Sequence, residues 1–181
     1  TIENFSDDGN IVLGFAQFPN QLFSDSETDG IVLRHDYCGS IESASANYGR
    51  TLTHEAGHWL NLRHIWGDDD CGDDNIDDTP TGKEPNYGVC DSNGDAAGGD
   101  FPYTPFVGAC SSSPGQIITQ SSGEMFMNYM DYSDDFCMNM FSLGQGSRMR
   151  SAISQYRNLL TSESNLIATG TNDDHVMVEC E

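Results

Sequence analysis

The sequence THEAGHWLNLRH, residues 53–64, decides the fold of this chain. It contains the pattern His-Glu-x-x-His, and a third histidine follows six residues after the second. On a helix, His54 and His58 lie one turn apart on the same face, so both imidazoles can bind one metal ion. Zn²⁺ prefers tetrahedral nitrogen ligands and keeps one position open for water when the site is catalytic. The spacing therefore predicts a zinc site made of His54, His58 and His64, with Glu55 beside the water.

The third histidine can reach such a metal only if the helix ends between His58 and His64. Helix ends of this kind usually contain a residue in the left-handed conformation, most often Gly. This sequence has Asn61 there, and Asn tolerates that conformation better than most residues. We therefore expect the chain to turn at Asn61. The alternative is a helix with surface histidines, but three of the five histidines lie in this one motif.

Together with three other stretches, this motif resembles the metzincin metallopeptidases and, more closely, the pappalysin-like (M43) family. Residues 14–19 (GFAQFP) are similar to a segment that the family carries upstream of its helix. Residues 77–80 (DDTP) match its downstream loop, and residues 128–132 (NYMDY) look like its Met-turn. The resemblance implies a metzincin-like α/β (α+β) fold, in which a small twisted sheet and the active-site helix lie above a loop-rich, disulfide-linked lower subdomain with a C-terminal helix.

The resemblance also implies roles for individual residues. Met130 is expected beneath the metal as a hydrophobic base, and the phenol of Tyr132 is expected to approach the zinc; a packed tyrosine with a satisfied hydroxyl is the alternative. Phe136, just before Cys137, is expected to line the S1′ pocket. Relatives that cut before Arg have an acidic residue at that position, so a hydrophobic and a mixed P1′ preference both stay open for this chain.

These features predict a secreted zinc endopeptidase that acts on proteins or peptides. Glu55 would take a proton from the zinc-bound water and deliver it to the leaving amine, and Tyr132 would stabilise the oxyanion. The substrate would lie extended along the strand predicted at residues 11–18. Two main alternatives stay open: a catalytically inert zinc- and calcium-binding domain, and an acidic, disulfide-stapled binding module with incidental histidines. A metal site in a non-peptidase hydrolase is a third.

The charge balance limits the partners. The 181-residue chain has 29 acidic and 7 basic residues, with a net charge of -22. Phosphate binding needs a basic surface, so we expect no nucleic-acid partner. No apolar run is long enough to span a membrane, and we expect no membrane partner and a monomer.

No signal peptide is visible and the chain starts at Thr1, so we expect a mature product or a fragment of a longer precursor.

The cysteines indicate disulfides rather than a zinc ribbon. No Cys-x-x-Cys pair occurs, and an even number of widely spaced cysteines suits an oxidising compartment. The residues alone leave the pairing open. The family resemblance implies the pairs Cys71–Cys110 and Cys90–Cys137. The remaining two, Cys38 and Cys180, either pair with each other or stay as free thiols.

An acidic loop, DDDCGDDNIDD at residues 68–78, is a candidate calcium site. Dense carboxylates on an irregular loop suit Ca²⁺, although the spacing is not that of an EF-hand. A solvated, self-repelling loop is the alternative. Structural Ca²⁺ near this position in the family favours calcium. The candidate ligands are Asp70, Asp73, Asp74, Asp77 and Asp78.

The remaining pattern predicts strands at residues 11–18 and 31–37 and helices at residues 49–60 and 143–160. We expect a catalytic domain at residues 1–165 and a polar tail or linker at residues 166–181. Relative to the family, strands and a long helix before residue 11 are missing. We therefore expect either a domain that is truncated at its N-terminus or a remnant of a third strand in residues 1–10.

Overall fold

The computed structural model describes residues 6–7, 10–39, 48–69, 72–80, 85–87 and 125–171. All structural statements below refer to these residues. They form a mixed arrangement of short antiparallel strands and helices. None of the helices in these ranges combines the length and the apolar character that crossing a membrane requires.

The strands form two small antiparallel pairs. Strand β1 (Ser6–Asp7) pairs with β2 (Asn10–Ile11), and β3 (Gly14–Ala16) pairs with β4 (Ile31–Leu33). Both strands of the second pair are shorter than the predicted ones. Pro19 starts a 3₁₀ turn (Pro19–Phe23), since its fixed φ suits the first helical position and it lacks an N–H to donate.

The first helix, α1 (Arg50–Trp59), carries the histidine motif and corresponds to the predicted helix. Its N-cap residue is Gly49, which has no side chain to cap the free N–H groups. Asp135, from a distant loop, supplies the cap instead. Its Oδ2 accepts hydrogen bonds from the backbone N–H groups of Tyr48 (2.7 Å) and Arg50 (3.0 Å). A carboxylate at this end also complements the helix dipole.

The C-terminal part differs from the prediction. Helix α2 (Leu143–Tyr156) is followed by a 3₁₀ turn (Asn158–Thr161) and a third helix, α3 (Glu163–Thr169). The sequence pattern does not predict α3, and the expected boundary between domain and tail, at residues 165–166, falls inside it. Ser162 caps α3 through a hydrogen bond from the Asn165 N–H, and Gly170 ends it with φ 68°. These are the usual start and stop signals of a helix.

The main hydrophobic core lies against the motif. It consists of five buried side chains: Leu62, Ile65, Trp66, Ile76 and Met130. A second cluster contains Phe126 and Cys137, with Met127 and Phe136 packed against it. Most of these side chains come from the segment that follows α1. The residues around the histidine motif therefore also form the water-excluding centre of the fold.

Two of the six cysteines lie in the described ranges. Cys38 is a free, exposed cysteine at the end of a 3₁₀ turn, in agreement with the free-thiol alternative, and Cys180 lies outside the described residues. Cys137 is buried and disulfide-bonded. Its predicted partner Cys90 lies outside the described residues, as do both members of the predicted pair Cys71–Cys110. Those two pairings stay predictions.

A buried arginine joins three parts of the fold. Arg157, at the end of α2, forms an ion pair of 2.5 Å with Asp29 in the loop before β4. Its Nε donates to the backbone oxygen of Trp59 at the end of α1, at 3.1 Å. The guanidinium also lies 3.8 Å above the Trp59 ring, whose Nε1 donates to Asp29 at 2.9 Å. These contacts hold α1, α2 and the loop between β3 and β4 together.

We expect Arg157→Ala to lower the free energy of unfolding by about 3 kcal/mol, because it leaves Asp29 without its buried counter-charge. Arg150→Ala is the matched control, since Arg150 is an exposed residue of α2 that contacts Ser147. The control should change the free energy of unfolding by less than about 0.5 kcal/mol. Urea denaturation of both variants measures the difference, and equal losses would show that Arg157 stabilises only through its charge.

Candidate metal centre

A defined helix end brings the third histidine back to the first two. The N–H of Asn61 donates to the oxygen of His58, and the N–H of Leu62 donates to the oxygen of Gly57, both at 2.9 Å. Asn61 has φ 74°, in the left-handed region. These two hydrogen bonds and the left-handed residue between them form a Schellman motif. The chain reverses there, and His64 lies opposite α1.

The three imidazoles converge on one point. The Nε2 atom of His64 lies 3.2 Å from that of His54 and 3.1 Å from that of His58. A tetrahedral zinc ion with Zn–N bonds of about 2.0–2.1 Å separates its nitrogen ligands by about 3.3–3.4 Å. Within the described ranges, these histidines are the one group of three or more His, Cys, Asp or Glu residues whose ligand atoms lie within 4.8 Å of one another.

The opposite ring nitrogens have hydrogen-bond acceptors. Nδ1 of His54 lies 2.6 Å from the backbone oxygen of Tyr129, and Nδ1 of His58 lies 2.8 Å from that of Leu62. Nδ1 of His64 contacts the carboxylate of Asp68. A carbonyl or an ionised carboxylate only accepts a hydrogen bond, so all three Nδ1 atoms carry the proton. In a neutral ring Nε2 is then the unprotonated nitrogen, and this is the tautomer that binds a metal.

This arrangement suits a cation. Burial, followed by the neighbouring histidines, lowers the pKa of His54 to about 3 and that of His58 to about 4, so both rings are neutral at pH 7. The Nε2 lone pairs of these two rings then face the same point as the Nε2 atom of His64. Their mutual repulsion is relieved when a positive ion lies at the point of convergence, and the donor set of three neutral imidazoles suits zinc.

The side chain of Glu55 extends from α1 towards strand β3. It is 6% exposed, and burial raises the pKa of its carboxyl to about 7. A Cβ atom on Gly14 would lie 3.0 Å from Cγ of Glu55 and 2.7 Å from a methyl group of Leu33. The absence of a side chain at Gly14 therefore lets β3 pass close to Glu55.

Met130 packs against the opposite side of α1. It is fully buried, and a Cβ atom on Gly57 would overlap its Sδ. Gly57 lies between His54 and His58 in the motif, so Met130 packs directly below the ligand-bearing turn of α1. The backbone oxygen of Met130 accepts from the N–H of Ile65 at 3.2 Å, which ties it to the segment after His64.

A buried pair of amide side chains, which the sequence did not reveal, holds the turn that contains Met130. Asn128 and Gln145 exchange two side-chain hydrogen bonds, of 2.7 and 3.0 Å, and both are fully buried. Asn128 Oδ1 also accepts from the Met130 N–H at 2.9 Å, and Gln145 Oε1 accepts from the Ser142 N–H at 2.8 Å. The network connects the Met130 turn to the N-terminus of α2.

Tyr132 lies beside the histidines. Its ring centroid is 4.8 Å from that of His64 and 5.6 Å from that of His54. The side chain also contacts Trp66, with 4.8 Å between ring centroids, and the residue is 40% exposed. Burial, followed by nearby negative groups, raises the pKa of its phenol to about 12, so the hydroxyl is protonated and can donate.

The predicted pocket residue Phe136 lies in aromatic surroundings. Its ring meets that of Tyr48 edge to face, with 4.8 Å between the centroids, and it packs on the cluster of Phe126 and Cys137. The neighbouring Asp135 directs its carboxylate to the N-terminus of α1. The acidic side chain next to the pocket residue is thus occupied by helix capping.

The structure does not gather the calcium candidates that it describes. Asp78 accepts from Ser142 Oγ (2.7 Å) and from the Gly144 N–H (2.9 Å), so it caps α2. Asp73 accepts from the Asn75 N–H at 2.6 Å, and Asp77 is exposed. Asp74 is buried, with Oδ1 bonded to Thr79 at 2.7 Å and Oδ2 without a hydrogen-bond partner in the described ranges. The last candidate, Asp70, lies outside them.

Comparison with known proteins gives consistent matches. The model of a peptidase M43 family described as pregnancy-associated plasma protein-A matches residues 2–154. An extracellular metalloprotease of Colletotrichum graminicola is 35% identical over 154 residues, which are 82% of this chain and 48% of the relative. One of Verticillium alfalfae is 38% identical over 144 residues, 77% of this chain and 45% of the relative. The chain thus spans about half the length of these curated relatives.

The solved structures agree. Mature mirolysin of Tannerella forsythia, in complex with a cleaved peptide, superposes with a TM-score of 0.65 and 40% sequence identity. The match covers 88% of this chain and 56% of that one. The predicted metzincin-like combination of a small antiparallel sheet and helices is confirmed by this similarity.

We expect Gly57→Ala to lower the free energy of unfolding by about 2 kcal/mol, because the added methyl group overlaps Met130 Sδ. Gly146→Ala in α2 is the control, since the nearest atom to its new methyl group would be the end of the Arg150 side chain, at 3.6 Å. That variant should gain about 0.5–1 kcal/mol from higher helix propensity. Changes of opposite sign in the free energy of unfolding, measured by thermal unfolding, support the packing argument. A gain in stability in both variants contradicts it.

Proposed function

The chain belongs to the peptidase M43 (pappalysin) family, and from this we propose that it forms the catalytic domain of a secreted zinc endopeptidase. The observation that carries the proposal is the convergence of the Nε2 atoms of His54, His58 and His64, with Glu55 buried next to His54 on the same helix. The names of the extracellular relatives support secretion, and the family supports protein or peptide substrates. We propose a monomer without nucleic-acid or membrane partners, as the acidic composition favours.

The described residues supply the groups that peptide hydrolysis needs. His54, His58 and His64 would hold the ion, and zinc, when bound, supplies a Lewis acid and a water of lowered pKa. The buried carboxyl of Glu55 would accept a proton and release it again. The protonated phenol of Tyr132 can donate a hydrogen bond to negative charge that develops on the substrate oxygen.

We place the substrate along strand β3. Extended peptides bind to strands through main-chain hydrogen bonds, with alternate side chains in pockets. The close approach of Gly14 to Glu55 brings this strand to the proposed proton acceptor. A peptide beside β3 would therefore run past Glu55, with its cleaved bond near the three histidines.

For the residue after the cleaved bond, we favour an apolar side chain. Phe136 and Tyr48 present an aromatic wall, and Asp135 directs its carboxylate to the backbone of α1. A basic P1′ side chain would find no counter-charge from Phe136. The hydrophobic alternative of the two sequence-based preferences is thus the better supported one.

We retain structural Ca²⁺ at the acidic loop as a proposal. The buried Oδ2 of Asp74 has no hydrogen-bond partner in the described ranges, and burial raises the pKa of this carboxyl to about 6. A buried carboxylate oxygen of this kind is stabilised by a cation, and oxygen ligands suit Ca²⁺. The neighbouring Asp70 and Asp73 would be further ligands.

The experiment for the peptidase is cleavage of a mixed peptide library by the chain and by Glu55→Ala, each loaded with one equivalent of zinc. We expect the variant to lose at least about 100-fold in cleavage rate, because it lacks the proton acceptor. The library also reports the P1′ residue, which we expect to be apolar. Cleavage at equal rates would point to a contaminant and reject the role of Glu55. No cleavage by either chain would favour an inert metal-binding domain.

The experiment for calcium is thermal unfolding of the chain and of Asp74→Asn. In calcium-free buffer at pH 7, the variant should be more stable by about 1 kcal/mol, because a buried carboxylate is replaced by a neutral amide. The folded pKa lies above the unfolded value, so the penalty of Asp74 appears as the pH rises from about 4 to about 6. The gain should therefore disappear at pH 4.

Added calcium should reverse the order at pH 7, raising the melting temperature of the parent chain more than that of Asp74→Asn. Asp69→Asn, which removes the same charge from the same loop, controls for the general relief of repulsion in an acidic chain. Equal responses of all three proteins to calcium would reject a site at Asp74.

A further inference from the structure

The three histidines differ in what holds their Nδ1 protons. His54 and His58 donate to backbone oxygens, which no substitution removes. His64 donates to a side chain, the carboxylate of Asp68, four residues along the chain. Only the third ligand is therefore paired with a full negative charge.

The backbone is shaped to make this contact. Gly67 and Asp68 are consecutive residues in the left-handed conformation, with φ of 67° and 62°. A side chain on Gly67 would overlap the backbone nitrogen of Asp73, so the turn is held by the loop packed on it. A left-handed residue other than Gly costs free energy and persists where the surroundings enforce it. Here the conformation returns the Asp68 carboxylate to the ring of His64.

The ring plane of His64 is fixed separately. Trp66 stacks on it, with 4.2 Å between centroids and 6° between planes, and Trp66 is 7% exposed. Stacking restrains the tilt of the imidazole but neither selects its tautomer nor changes the basicity of Nε2. The hydrogen bond to a carboxylate does both, because it fixes the proton on Nδ1 and increases the electron density of the ring.

We propose that Asp68 is a positioning residue that holds His64 in the zinc-binding tautomer and strengthens its Nε2 as a ligand, so that it sets the affinity of the chain for zinc. The inference rests on the proposed zinc site. It assigns to Asp68 a role distinct from those of the other described carboxylates of the acidic loop. Asp73 and Asp78 accept hydrogen bonds in a turn and at a helix end, Asp74 is the proposed calcium ligand, and Asp69 and Asp77 are exposed.

The test is zinc affinity, measured by competition with a chromophoric chelator, for the parent chain, Asp68→Asn, Asp68→Ala and Asp69→Asn. We expect Asp68→Ala to weaken binding about 10- to 100-fold, as removal of such partners does elsewhere. Asp68→Asn keeps an acceptor oxygen without the charge and should fall between the parent and Asp68→Ala. Asp69→Asn carries the same charge change one residue on and should stay within about 2-fold.

A second readout separates this role from a structural one. Proton NMR of the zinc-loaded chain with ¹⁵N-labelled histidine should show three protected Nδ1–H signals. In Asp68→Ala the signal of His64 should be lost or shift strongly, whereas those of His54 and His58 should remain. A variant that merely loosened the fold would move all three. Circular dichroism checks that each variant is folded, and Asp68→Asn carries the test if Asp68→Ala is not.

The outcomes separate this inference from the proposed function. If the parent chain binds less than one zinc ion per molecule, the proposed zinc site itself fails. If the parent binds zinc and Asp68→Ala binds it equally tightly, the zinc site stands and the role of Asp68 is rejected. A loss of affinity in Asp69→Asn as large as in Asp68→Asn would also overturn the inference, because it would reduce the effect to general charge.

Discussion

The structure depends on one constraint: the Nε2 atoms of three imidazoles are held about a hydrogen-bond length apart. His54 and His58 come from one face of α1, and His64 comes from beyond the Schellman turn at Asn61. Each ring is fixed by the acceptor on its Nδ1 proton. A cation at the point where the three Nε2 atoms meet would stabilise this arrangement.

The surrounding fold keeps that arrangement from relaxing. Met130 fills the space that Gly57 leaves below the ligand-bearing turn, and the buried Asn128–Gln145 pair ties the Met130 segment to α2. Fully satisfied buried amides of this kind hold one geometry, because any shift leaves a polar group unpaired. On the other side of the motif, Arg157 fixes the end of α1 to α2. Rigidity at both ends of the helix keeps the three nitrogens close.

The sequence could predict the features that depend on residues close together in the chain. The spacing of the histidines and a residue tolerant of positive φ were enough to place α1, the turn at Asn61 and the convergence of the three rings. Features that join distant segments had no local signal, such as the Asp135 cap on α1. Helix α3 was missed because its apolar residues are few, although Ser162 and Gly170 mark its ends. The sequence shows how many acidic residues the loop has but not which group each carboxylate contacts. Asp78, one of the calcium candidates, caps α2.

The central claim is that the three histidines hold zinc, and X-ray absorption at the zinc edge tests it most directly. We expect the chain to retain one zinc ion, with three nitrogen neighbours at about 2.0–2.1 Å and one lighter oxygen ligand. The His64→Ala variant should lose one of the three nitrogen neighbours or release the ion. Sulfur neighbours at about 2.3 Å, or a chain that retains no zinc at all, would contradict the claim.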